Sequence, residues 1–260
     1  LRESDDLALL ISAAHAAGAI ARRHFGEGPK SWEKSAGQGP VSEADLEIDE
    51  MLRARLMAAR PDYGWLSEES ADNPARLNCA RVFIVDPIDG TRAFLDGQSG
   101  FAHALAVVEH GSPVAAVVHL PMMGLTYTAA RGQGAFLGDQ RLEVTPCASP
   151  SGARVLATRA QMTGANWPGG LPAIDRHFRP SLAWRLALVA EGKFDGMVNL
   201  RPTWHWDIAA GALLIEEAGG LITNAAGKDV LFNTPEPFAD GVIAAGSGLH
   251  SALMRHRRGR

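Results

Sequence analysis

Asp86-Pro87-Ile88-Asp89-Gly90-Thr91 follows directly on the apolar run Val82-Phe83-Ile84-Val85. A short continuous apolar run of this kind reads as a buried strand, so two carboxylates arrive together at a strand end. Spaced three apart, they point the same way only if the chain turns sharply between them, which Pro87 and Gly90 favour. Two acids crowded there repel each other, and a cation between them relieves the repulsion. Hard divalent cations such as Mg²⁺ take oxygen ligands, commonly one or two carboxylates plus a substrate phosphate. An isolated DxxD is ordinarily a capped turn with Asp86 and Asp89 in water, so the reading depends on what else the chain supplies.

Upstream, Leu7, Leu10, Ile11, Ala14, Ala17 and Ala21 recur at helical spacing, which predicts an amphipathic helix from about Asp5 to Phe25, ended by Gly26, Gly28 and Pro29. A polar, Gly-rich segment runs from Lys30 to Pro40. A second helix starts near Ser42, with Leu46, Met51, Leu52 and Leu56 on one face, and Pro61 stops it. Downstream, the runs Ala102–Val108, Val114–Leu120 and Leu125–Ala129 are separated by Gly/Pro turns and predict an antiparallel meander. From about Ser149 strands (Val155–Ala157, Met197–Asn199, Leu221–Thr223, Val242–Ala245) alternate with helices (Leu182–Glu191, Ile208–Ala218 and a last one near His250). The predicted class is α/β: an α+β half over residues 1–148 that carries the metal-binding motifs, joined to an α/β half over 149–260 that completes the site.

The 260 residues are 46% hydrophobic and 21% charged, a globular composition that excludes disorder as the dominant state. With 25 basic and 29 acidic residues the net charge is −4, so there is no global basic excess for binding a nucleic acid polymer. Cys79 and Cys147 have no CxxC partner, which argues against a disulfide framework or a structural zinc and suits a cytoplasmic protein. The apolar stretch Leu7–Ala21 follows Glu3, Asp5 and Asp6, the wrong charge for a signal peptide, and no apolar run reaches the ~20 residues of a membrane span.

Other acids add weight to the first pair. Trp65-Leu66-Ser67-Glu68-Glu69-Ser70 places two glutamates upstream, and Trp206-Asp207-Ile208-Ala209-Ala210-Gly211 places an aspartate at the start of an apolar helix, where alone it would be an N-cap. Asp45, in Val41-Ser42-Glu43-Ala44-Asp45, falls in the first turn of the second helix. In this order the four strings resemble the inositol monophosphatase superfamily of Mg²⁺-dependent, lithium-sensitive phosphomonoesterases. Asp86 to Phe94 is similar to its first signature; Trp206 to Gly211, followed by Glu217-Ala218-Gly219-Gly220, is similar to its second.

The resemblance implies a layered αβαβα sandwich, a homodimer, and an active site holding two or three Mg²⁺ ions. Glu68, Asp86 and the carbonyl of Ile88 would hold the activating metal, Asp86, Asp89 and Asp207 a second, and Glu68 again a third. Gly90 and Thr91 would present backbone N–H groups to the substrate phosphate, with Asp89 and Asp207 beside it. Glu68, Thr91 and Asp45 would be catalytic, the Thr91 hydroxyl paired with Asp45 to orient and deprotonate the attacking water. The family implies direct attack by water, without a phosphoenzyme. The sequence offers no DxDx(T/V) nucleophile and no P-loop.

For the substrate, the resemblance to one branch of the family implies 3′-phosphoadenosine 5′-phosphate first. Inositol phosphatases usually carry a hydroxyl-binding acid seven residues before the second-motif aspartate, where this chain has Leu200. Val189-Ala190-Glu191-Gly192 followed by Arg201-Pro202-Thr203-Trp204-His205-Trp206-Asp207 is instead similar to a run of bacterial 3′(2′),5′-bisphosphate nucleotidases, as is Ser67-Glu68-Glu69. Arg185 would then bind the second phosphate. The alternatives are an inositol-1-monophosphatase broad towards sugar phosphates, a histidinol-phosphatase, and a non-catalytic metal- or nucleotide-binding regulator, whose mark would be a lost metal acid or a lost Thr91.

Overall fold

A computed structural model describes residues 2–34 and 39–258. The centre of the Gly-rich segment and the last two residues of the basic C-terminal tail lie outside the described residues. Two helices lead, α1 (Arg2–His24) and α2 (Glu43–Ala59), separated by the small hairpin β1 (Ser31–Glu33) and β2 (Pro40–Ser42). Ser42 caps α2 in a reciprocal box with Asp45, which satisfies two otherwise unpaired N–H groups and holds Asp45 at the helix start.

The first sheet has seven strands in sequence order: β3 (Gly64–Ser67), β4 (Arg81–Asp89), β5 (Ala102–Glu109), β6 (Ser112–Leu120), β7 (Leu125–Ala130), β8 (Gly134–Leu137) and β9 (Gln140–Arg141). β3 and β4 are parallel, and the rest form the antiparallel meander the turn spacing predicts. The five-residue helix α3 (Thr91–Leu95) follows β4. The second sheet has the order β11-β10-β12-β14-β13, from β10 (Arg154–Leu156), β11 (Asp175–His177), β12 (Gly196–Trp204), β13 (Leu221–Thr223) and β14 (Phe238–Ala245). Between its strands run α4 (Leu182–Ala190) and α5 (His205–Glu217), and α6 (Ser247–Arg258) closes the chain.

Period-two alternation assigns the layers. In β4, Phe83 and Val85 pack with Leu10, Ala14, Ile48 and Leu52 of α1 and α2, whereas Val82 and Ile84 join a cluster with α4 and α5. In β14, Val242 and Ala244 face α4 and α5, and Ile243 and Ala245 face Leu249 and Leu253 of α6. The order is therefore α1/α2, seven-stranded sheet, α4/α5, five-stranded sheet, α6: the αβαβα sandwich. All nine residues of α4 are buried, as is Ile208 to Ile215 of α5, which is why both helices read as apolar all round. They pack closely at Gly211, where a Cβ would lie 2.4 Å from Leu186 Cδ1. No helix among the described residues is long and apolar enough to cross a membrane.

Three local expectations change. Asp86 and Asp89 are brought together by a β-bulge inside β4, since Asp86 pairs with Ala104 and Asp89 with Ala102, leaving Pro87 and Ile88 opposite His103 alone. The extra residue restores parity, so acids three apart share the face of their partners Ala102 and Ala104, towards α4 and α5. Proline, which lacks the ladder N–H, is tolerated at a bulge. Asp207 lies in the first turn of α5 and is not its cap, because that helix starts at His205. The strand predicted over Met197–Asn199 runs from Gly196 through Trp204.

Candidate active site

Three helix starts converge on the end of β4. Gly90 turns the chain from β4 into α3 with φ +99°, a left-handed conformation that strains any other residue. Asp89 points at the start of α4, where its Oδ2 accepts from Ser181 Oγ and the Ala183 N–H, both at 2.6 Å. The first turn of α5 brings Asp207. From the other side the segment after β3 brings Glu68. One ligand oxygen each from Glu68, Asp86 and Asp207 lie within 4.8 Å of one another.

Burial and mutual repulsion raise the carboxyls of Asp86 and Asp207 well above the usual range. Burial also raises Asp89, against the opposing hydrogen bonds of Ser181 and α4. Asp86 is 1% exposed, and its Oδ1 has no hydrogen-bond partner. A buried charged oxygen without a donor is costly. Hard carboxylate donors, closely grouped, with one left unpaired, fit a divalent cation. Asp89 is close enough to couple electrostatically to Asp86 and Asp207, but it stands outside the three-acid group.

Glu68, Asp86, Ile88, Asp89, Gly90, Thr91 and Asp207 line one cavity of about 620 Å³. Asp45 is buried behind Thr91, whose Oγ1 lies 3.3 Å from Asp45 Oδ1 and 3.1 Å from the Ile88 carbonyl. Burial lifts the Asp45 pKa to about 6 against the Ser42 hydrogen bonds. Lys34 spans Glu68 and Glu69 at 2.8 and 2.7 Å. A second cavity of about 500 Å³ shares Glu68 and Asp207 and is walled by Trp204 and Trp206, which stack on each other at 4.9 Å.

Arg185 does not line this cavity, although it is close enough for its charge to act on Asp89 and Asp207. It is buried in the middle layer, donates to the carbonyls of Arg179 and Pro180, and lies 4.4 Å from the Phe178 ring centroid. Burial pulls its pKa down to about 10. Ser67 is likewise spent on structure: its hydroxyl donates to Asp49 of α2, as does Ser70, so Asp49 holds the Glu68 segment from behind. Sequence reading missed Asp49, Ser181 and two cavity-lining arginines, Arg92 and Arg201. The signal for Asp49 was available, since Asp45 and Asp49 sit one turn apart on the buried face of a helix.

A sequence profile of the inositol monophosphatase family matches residues 3–259. The inositol-1-monophosphatase of Rhizobium meliloti is 39% identical over 251 residues, 93% of this chain and 91% of that protein. A 3′(2′),5′-bisphosphate nucleotidase of Aggregatibacter actinomycetemcomitans is 30% identical over 77% of this chain and 78% of its own. Among solved structures, the Thermotoga maritima IMPase superposes with a TM-score of 0.83 at 28% identity, covering 96% of each chain.

Proposed function

Because the chain belongs to the inositol monophosphatase family of phosphoric monoester hydrolases, we propose that it hydrolyses small polyol and sugar phosphates in a Mg²⁺-dependent reaction, with inositol 1-phosphate the first ester to test. The observation that carries this reading is the group of Glu68, Asp86 and Asp207 on a cavity that Gly90 and Thr91 also line, with Asp86 Oδ1 unpaired. Between the substrate classes the sequence left open, the relatives support the inositol phosphate reading better than the nucleotide one. Arg185 and Ser67, which favoured the nucleotide, are both engaged in structural hydrogen bonds. The regulator reading gains nothing, since Thr91 and every metal acid are present.

Glu68, Asp86, Asp89, Asp207 and the Ile88 carbonyl would hold the ions. Bound there, Mg²⁺ supplies positive charge to the phosphoryl oxygens and acidifies water. The protein's own part is positioning and proton transfer. Gly90 turns the first N–H groups of α3, which have no helical partner, towards the cavity, where they bind the phosphate. The Thr91 hydroxyl takes a proton from the attacking water and passes its own to Asp45. Ser181 and α4 fix the Asp89 rotamer, and Asp49 fixes the segment bearing Glu68.

The test is phosphate release by the purified protein with Mg²⁺ and after chelation, comparing inositol 1-phosphate with 3′-phosphoadenosine 5′-phosphate by kcat/KM. Mg²⁺-dependent release favouring inositol 1-phosphate is expected. A large preference for the nucleotide would restore the nucleotidase reading, and release undiminished by chelation would refute the metal assignment.

A further inference from the structure

Leu200 stands where inositol phosphatases usually carry an acid, but its side chain packs on the apolar cluster beneath α6, away from the cavity. The next residue, Arg201, is exposed and lines the cavity that holds Glu68, Asp86 and Asp207. A second bulge underlies this placement. Asn199 of β12 pairs with Val242 and Pro202 with Asp240, so Leu200 and Arg201 stand opposite Gly241 alone. Gly241 has φ +73°, and a Cβ there would meet the Asn199 carbonyl at 2.7 Å and Leu200 Cα at 3.1 Å. Only glycine accommodates this bulge, and a bulge bends its strand and re-aims side chains beside a site.

The Arg201 guanidinium makes no hydrogen bond or ion pair with any described residue. Arg92, at the start of α3 and on the same cavity, makes none either. The acids nearby do not use them: Asp89 is held by Ser181 and α4, and Glu68 by Lys34. Guanidinium is a rigid fork of donors with no acceptor, matched to the paired oxygens of phosphate or carboxylate. Beside its acids, this cavity therefore offers two guanidinium groups with no partner among the described residues.

We infer that Arg201, assisted by Arg92, is a specificity-determining residue that receives a second anionic group, phosphate or carboxylate, on the leaving group of the ester. The inference rests on phosphomonoester hydrolysis at this site and adds to it a preference, between esters otherwise matched, for the one that carries a second anionic group.

The experiment compares matched esters that differ by one anionic group: fructose 1,6-bisphosphate with fructose 1-phosphate, and 3-phosphoglycerate with glycerol 3-phosphate. With Mg²⁺, the doubly anionic member is expected to have the higher kcat/KM, by roughly 10- to 100-fold and mainly through KM, as one or two charge-assisted hydrogen bonds would give. In Arg201→Gln the ratio collapses towards one, and Arg201→Lys, which keeps the charge but loses the fork, retains part of it. Preference confined to one pair identifies the anion. A wild-type ratio near one in both pairs, or an unchanged ratio in Arg201→Gln, overturns the inference while release from the singly anionic esters leaves the phosphomonoesterase reading standing. No release from any of the four refutes that reading and the inference together.

Discussion

Replacing Asp86 with Asn should stabilise the metal-free protein and destabilise it relative to wild type once Mg²⁺ is added. Asp86 is 1% exposed with an unpaired Oδ1, and its ligand oxygen lies within 4.8 Å of those of Glu68 and Asp207. At that separation, two full negative charges repel by roughly 3.5 kcal/mol at an effective dielectric of about 20. Asp86 belongs to two of the three pairs, but partial protonation and relaxation already relieve part of the cost. An amide of the same shape removes both repulsions and can donate to a remaining carboxylate, for a net gain of about 2 kcal/mol. In a chain of this length, that gain raises Tm by roughly 4–8 °C. Wild type at a hundredfold excess of Mg²⁺ over Kd gains about 2.7 kcal/mol, most of which the variant forgoes. Thermal unfolding of both proteins, first in EDTA and then in saturating Mg²⁺, should give curves whose order reverses. A variant less stable than wild type in EDTA, or one that gains as much from Mg²⁺, would refute the reasoning.

Two further predictions concern parts of the fold remote from the acids. Gly211→Ala drives a methyl into Leu186 and should cost about 1–3 kcal/mol in denaturant unfolding; shortening the neighbour in Leu186→Ala/Gly211→Ala should recover part of it, whereas strict additivity would show that the contact is not the cause. His119 is held by burial at a pKa of about 4, below the ~6.5 of an unfolded histidine, so the unfolded chain binds the proton first. Its contribution is intact above about pH 6.5 and is lost as pH falls towards 4, by up to roughly 1.4 kcal/mol per pH unit. His119→Gln should flatten the stability profile in that window, and identical slopes would refute the assignment.

Much of this architecture is legible in the sequence for identifiable reasons. Val82 to Val85 is apolar without interruption because β4 is covered on both faces, and α4 and α5 lack a polar stripe because each lies between two sheets. The acids are legible because metal chemistry restricts the residue types that can serve it. What escaped is relational. Whether Asp86 and Asp89 share a face depends on their register with Ala102 and Ala104, and no property of the DxxD string records that a bulge intervenes. Arg185 reads as a cation free to bind a phosphate until the layers that bury it are known. Arg201 was passed over because Leu200 occupied the position of interest, and only the pairing with β14 shows which of the two neighbours lines the cavity.

The bulge opposite Gly241 also bears on how such a cavity can change over generations. Along β12 successive side chains alternate between the cavity and the α6 side, with Leu200 on one and Arg201 on the other. Losing a single residue here, Leu200 for instance, would restore one-to-one pairing with β14 and carry the guanidinium onto the apolar side of the sheet. Divergence of ligand preference at this strand is therefore reachable through a one-codon deletion or insertion, without any substitution among the residues that perform the chemistry.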